Sequence, residues 1–127
     1  MDEPAFKERT KQAASRIVSL VEALPRTWTG EVLGKQLLRS GTSFAANYRA
    51  ACRAKSRAHL ISKLSDVEEE ADESIFWMEM IIERRLLKLS LVKPLLNEVQ
   101  EILAMTVASI KTLRSKEEPI PNPKSKI

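Results

Sequence analysis

An all-α fold, an antiparallel up-and-down four-helix bundle, is what this sequence predicts, and three observations predict it. The 127 residues include only three glycines, and four of the six prolines sit at Pro94 or later. An all-β fold needs many turn residues and is disfavoured by that count. Apolar residues make up 43% and charged residues 30%, which is ordinary for one soluble globular domain with a single core. Finally, four segments repeat their apolar residues at helical spacing, with no internal repeat and no interior linker.

Helix 1 is read over residues 6–24. Phe6, Ala13, Ile17, Leu20 and Leu24 form its stripe, and Pro25 stops it because the residue before a proline disfavours α geometry. Thr27 or Thr29 is placed to cap the next helix by accepting from its free amides. Trp28 is expected to pack over the bundle end.

Helix 2 is read over residues 30–54. Gly34 and Gly41 each weaken it by roughly 1 kcal/mol relative to alanine, so close packing is expected there, with another backbone near Gly41. Ser56 is the expected cap of helix 3, read over 57–89. Its stripe is Leu60, Leu64, Val67, Ala71, Ile75, Met78, Ile82, Leu86 and Leu89. Its second half is apolar almost all round. Phe76, Trp77, Met80 and Ile81 therefore imply a second contact, most simply another copy of the chain.

Ser90 to Lys93 reads as a turn, with Pro94 in the first turn of helix 4, residues 94–114. Residues 1–115 are taken as the bundle. The tail, residues 116–127, has three prolines and no periodicity and is expected to be extended or disordered.

Charge is distributed in blocks. Lys35, Arg39, Arg49, Arg53, Lys55, Arg57 and Lys63 occur with no acid between the first and the last. Asp66, Glu68, Glu69, Glu70, Asp72, Glu73, Glu79 and Glu83 then follow with no base among them. Either the basic and acidic helices answer each other, or the basic surface meets an outside polyanion. The net charge of +4 is a weak clue to nucleic acid. The nucleic-acid candidates are Arg39, Arg49, Arg53, Lys55, Arg57, Arg84, Arg85 and Lys88. Because helices 2 and 3 run antiparallel, Arg49–Arg57 and Arg84–Lys88 belong at opposite ends, and oligomerisation would repeat each into a ring.

Catalytic patterns fail. A di-iron bundle wants Glu-x-x-His on two helices, but His59 is the only histidine and residue 56 is serine. The i,i+4 acid pairs of helix 3 read as a solvated face rather than metal ligands. Cys52 excludes an intrachain disulfide and reads as a small packed residue. Cys52 and His59 flank one turn, but nothing marks an oxyanion site, a phosphate loop or a dinucleotide fingerprint. No metal, no cofactor and no enzymatic activity are expected. MDEPAFKERT has no apolar h-region, and no apolar run reaches the ~20 residues of a membrane span, so a cytoplasmic protein without a membrane partner is expected.

The stretch QLLRSGTSFAANYRAACRAKS, followed by EEADESIFWMEMI, resembles the bacterial four helix bundle protein family, also called 23S ribosomal RNA intervening-sequence proteins. That family is distantly similar to the accessory variability protein of diversity-generating retroelements. Gln36, Leu37, Arg39, Ser40, Ser43, Asn47, Glu70, Glu73 and Trp77 carry the resemblance, which spans roughly Leu24 to Leu113. It implies an antiparallel bundle assembled into a homo-oligomer, typically a pentamer around a channel. The resemblance to the retroelement relative implies binding of nucleic acid and a reverse transcriptase. The family's Glu three residues after the Asn is Ala50 here, so no role of that acid transfers.

From the residues themselves, Gln36, Ser40, Ser43 and Asn47 share one face. With Glu70, Glu73 and Ser74 as partners they suggest a buried polar layer that fixes helix register. Two functions remain: a non-enzymatic accessory protein that binds nucleic acid without sequence preference, or a scaffold whose charges pair subunits or another protein.

Overall fold

The computed structural model describes residues 2–117. It contains four helices: α1 (Glu3–Glu22), α2 (Trp28–Ala51), α3 (Arg57–Glu83) and α4 (Leu89–Glu117). Each helix packs on its chain neighbours, and α1 closes the ring on α4 through a smaller seam, while diagonal pairs stay apart. That is an antiparallel four-helix bundle.

The caps follow the sequence. Thr27 accepts from the Gly30 amide at 3.1 Å, and Ser56 accepts from the His59 amide at 3.0 Å. Each satisfies one of the donors that a helix N-terminus leaves free. Between these caps α2 buries Leu33, Leu37, Phe44, Tyr48 and Ala51, against Phe6, Ile17 and Leu20 of α1 and Leu64, Val67, Ala71 and Met78 of α3. Phe6 meets Tyr48 edge to face, with ring centroids 4.8 Å apart.

The α1–α2 seam depends on glycine. A Cβ on Gly41 would stand 2.6 Å from Ile17 Cγ2 and 2.7 Å from Ile17 Cδ1. The close approach expected at Gly41 is therefore real, but the neighbour is a core side chain rather than a backbone. Gly30 is more constrained still, since its Cβ would fall 2.2 Å from the Pro25 carbonyl oxygen.

The α3–α4 junction departs from expectation. Helix α3 ends at Glu83, not at Leu89, so at ~1.5 Å per residue it is about 40 Å long. The stop is Arg85, which takes the left-handed φ of 56°. This lets the Leu86 amide reach back to the Ile81 carbonyl at 3.0 Å. Helix α4 starts at Leu89, and Pro94 lies inside it instead of opening it. Leu89 therefore leaves the α3 stripe and is 57% exposed. On α3 the innermost position is Ile81 rather than Ile82, which is only half-buried. Helix α4 extends through Lys116 to Glu117; the rest of the proposed tail lies outside the described residues.

Candidate nucleic-acid interface

The antiparallel packing defines two ends. At one end stand the start of α1, the α2–α3 turn and the last turns of α4. Arg49, Arg53, Lys55 and Arg57 are all exposed there. Lys111, Arg114 and Lys116 of α4 arrive at the same end and are exposed too. Among the described residues none of these seven forms an ion pair. The acids nearest this end in the sequence are Asp2, Glu3 and Glu8 at the start of α1 and Glu117 at the end of α4. Cations thus outnumber acids at this pole, which focuses a positive field.

Arg84, Arg85 and Lys88 sit in the α3–α4 connector at the opposite end, also exposed. The two basic clusters do not merge on one chain. Arg39 belongs to neither, since its guanidinium lies on the α2–α3 flank and bridges Glu70, at 3.2 Å, and Glu73. That pairing draws one cation out of the candidate set. The Arg39 guanidinium, aided by the Trp77 indole N–H at 2.9 Å, holds the Glu73 carboxyl below its usual range.

The six polar-layer residues divide. Ser40 is wholly buried, and Ser74 Oγ donates to Ser40 Oγ across 2.9 Å, while Ser40 Oγ donates to the Leu37 carbonyl at 3.4 Å. This hydroxyl pair is the buried polar link between α2 and α3. Gln36, Ser43, Asn47, Glu70 and Glu73 are only half-buried. Asn47 Nδ2 turns back on its own helix, donating to the Ser43 carbonyl and hydroxyl, each at 3.0 Å. Glu70 and Glu73 meet Arg39, one of the nucleic-acid candidates. No described buried side-chain polar atom lacks a partner.

The four candidate interface residues also divide. Phe76 is 50% exposed and packs edge to face on Trp77, and both Trp77 and Met80 are half-buried. Ile81 is wholly buried in the chain's own core and leaves the candidate set. Trp28, expected to pack over the bundle end, is instead 87% exposed.

One further latch was not foreseen. Arg9 of α1 holds Glu98 of α4 through Nε at 2.6 Å and Nη2 at 2.9 Å, and reaches Glu101 at 2.7 Å. The pairing raises the Arg9 pKa and lowers that of Glu98. The fork geometry suits arginine rather than lysine.

At the basic pole the core opens into a cleft of about 890 Å³ between the α2–α3 turn and the last turns of α4. Its floor includes Tyr48, Leu60, Leu64 and Met105, and Lys55, Arg57 and Lys116 stand on its rim. Cys52 lies in the wall, and burial pushes its thiol pKa up, which keeps it a neutral, poor nucleophile. Burial likewise raises the Tyr48 hydroxyl. His59 does not face Cys52 as a base: its Nδ1 accepts from the Lys55 amide at 3.3 Å. Among the described residues there is no cluster of metal-ligating side chains, and no helix is long and apolar enough to cross a membrane.

Residues 5–108 match the family described as 23S rRNA-intervening sequence protein. The chain belongs to that family. A crystal structure of a protein of unknown function from the S23 ribosomal protein family of Bacteroides thetaiotaomicron superimposes with a TM-score of 0.81 at 35% identity. The match covers 87% of this chain and 99% of that one. No curated protein matches. Membership in the 23S rRNA-intervening sequence family agrees with the motif residues read from the sequence, of which Leu37 is core, Ser40 buried and Arg39, Glu73 and Trp77 form one surface network.

Proposed function

We propose that this protein is a non-enzymatic accessory protein that binds nucleic acid without sequence preference through its basic pole. The observation that carries the reading is the convergence of Arg49, Arg53, Lys55 and Arg57 with Lys111, Arg114 and Lys116 at one end, unpaired among the described residues. Unpaired exposed cations release counterions when they meet phosphates, and that release supplies the affinity. Arg39 is excluded from this surface, because its charge is already answered by Glu70 and Glu73. Arg84, Arg85 and Lys88 form a second, weaker basic end.

Assembly into a homo-oligomer, a pentamer in the proposed form, would repeat each pole around an axis. The exposed Phe76, with Trp77 and Met80 beside it, supports a contact between copies on the outer face of α3. The same patch favours the rival reading, a scaffold that works by protein contacts alone. The cytoplasm is the compartment in which this reading places the protein.

Binding of a labelled unstructured RNA and of a DNA duplex, titrated across salt on protein of known assembly mass, tests the proposal. Micromolar affinity that falls steeply with salt is expected. Arg49→Ala, Arg53→Ala and Arg57→Ala combined should reduce the log–log salt slope by about 2–3 with assembly intact. No binding at low salt would overturn the proposal and leave the scaffold.

A further inference from the structure

The cleft at the basic pole is not explained by bundle packing, which would close it, nor by charge, which needs only a surface. Its floor is the open end of the core: Tyr48 and Leu64 are buried, and Leu60 and Met105 are half-buried. Its charged lining is Lys55, Arg57 and Lys116, three cations against the one carboxylate of Glu3. Its volume, about 890 Å³, falls within the ~300–1,000 Å³ usual for small-ligand sites. Outside the rim, Arg49 in the last turn of α2 and Arg53 in the α2–α3 turn continue the positive surface.

We propose that this cleft seats an unstacked nucleobase of a single-stranded nucleic acid, with the flanking phosphates on Lys55, Arg57 and Lys116. This rests on the nucleic-acid reading above and adds to it a preferred form of the ligand. An apolar floor gains from burying the face of a flat ring of any sequence. Hydroxyl groups in the wall, Ser56 and Thr112 among them, suit the polar edge of such a ring. Cations on more than one side of the opening suit a chain that enters and leaves with a phosphate on each side. A fatty acyl chain fits less well, because it needs a narrow apolar bore and a single counter-charge. A duplex keeps its bases stacked and cannot offer one without unpairing.

The test compares three fluorescent probes of equal length on the full chain: a single-stranded RNA, an abasic deoxyribose-phosphate oligomer and a duplex. The single strand should bind on the order of ten-fold more tightly than the abasic oligomer, which carries the same charge but no bases. Ala108→Leu adds bulk to the cleft wall at an exposed α4 position without changing charge or helix preference. It should erase the difference and leave abasic binding as it was. A 4-thiouridine strand should crosslink to residues 60–64 or 105–113.

Equal affinity for single strand and abasic oligomer, an undiminished difference in Ala108→Leu, or crosslinks confined to other segments would each overturn the base site while leaving the electrostatic reading standing. Failure of all three probes to bind at low salt would overturn both.

Discussion

Substituting Gly41 by alanine measures how tightly α1 and α2 are joined. The new Cβ would meet Ile17 at 2.6 Å from Cγ2, 2.7 Å from Cδ1 and 3.3 Å from Cβ. Ordinary carbon contacts begin near ~3.5 Å, so either the side chain or the helix must move. Ile17 is completely buried and branched at Cβ, so it has no second rotamer to retreat into. Overpacking of this kind costs about 1–3 kcal/mol. Alanine returns roughly 1 kcal/mol through helix preference. The contact distances place the clash at the upper part of its range, so the net expected loss is about 1–2 kcal/mol. Urea unfolding followed by circular dichroism, at one fixed protein concentration because assembly couples to stability, reads it as a lower midpoint with unchanged slope. Ile17→Ala alone should cost about 2–5 kcal/mol. Combined with Gly41→Ala it should cost less than the sum, because the clash partner has gone. A Gly41→Ala protein that gains the full helix-preference term would refute the reasoning, since the seam would then have room for a methyl group.

The remaining predictions concern charge and exposure. Arg9 depresses the Glu98 pKa, so the stabilising contribution is present above the unfolded value of ~4.3 and is lost as pH falls through the lower folded value. Thermal melts from pH 6 to 3 should fall steeply below about pH 4.5, and Glu98→Gln should flatten that fall while melting lower at pH 6. Cys52 alkylation should be slower than that of a free cysteine at pH 8, and its rate should rise at higher pH than the free thiol's does; a rate matching the free thiol would remove the burial argument. Asn47→Leu should change stability by no more than about 0.5 kcal/mol, because Asn47 bonds its own helix and not α3. A large loss with the bundle otherwise folded would restore an α2–α3 register role for that side chain.

The helices were legible because their signals are local. Thr27 and Ser56 cap where they stand, and the apolar stripe of α1 names its buried residues. The α3–α4 junction was not, because Leu86 and Leu89 continue the α3 period and the actual break is a non-glycine residue, Arg85, in a left-handed conformation. Pro94 then drew the expected start of α4 past Leu89. Site residues were legible to the resolution of a helix face. Spacing places Ser40, Ser43 and Asn47 together, but only Ser40 turns far enough inward to meet Ser74. Basic residues could be counted but not sorted: nothing local shows that Arg39 is spent on Glu70 and Glu73 while Arg49 and Arg53 are not. The Arg9–Glu98 latch joins residues 89 positions apart, and the cleft likewise brings the α2–α3 turn to the distant end of α4, beyond the reach of any spacing rule.

That separation also orders the folding of the chain. Three of the four seams join consecutive helices, so each forms by closing a short loop. The α1–α4 seam is the exception, since Arg9 and Glu98 stand 89 positions apart. During synthesis, α1 to α3 can dock as an open three-helix sheet while α4 is still being made. Arg9 then holds a place for carboxylates that arrive last, and the docking of α4 both completes the core and supplies the far wall of the cleft. Slowing the arrival of α4 should therefore leave a chain with α1, α2 and α3 already docked and its basic pole unfinished.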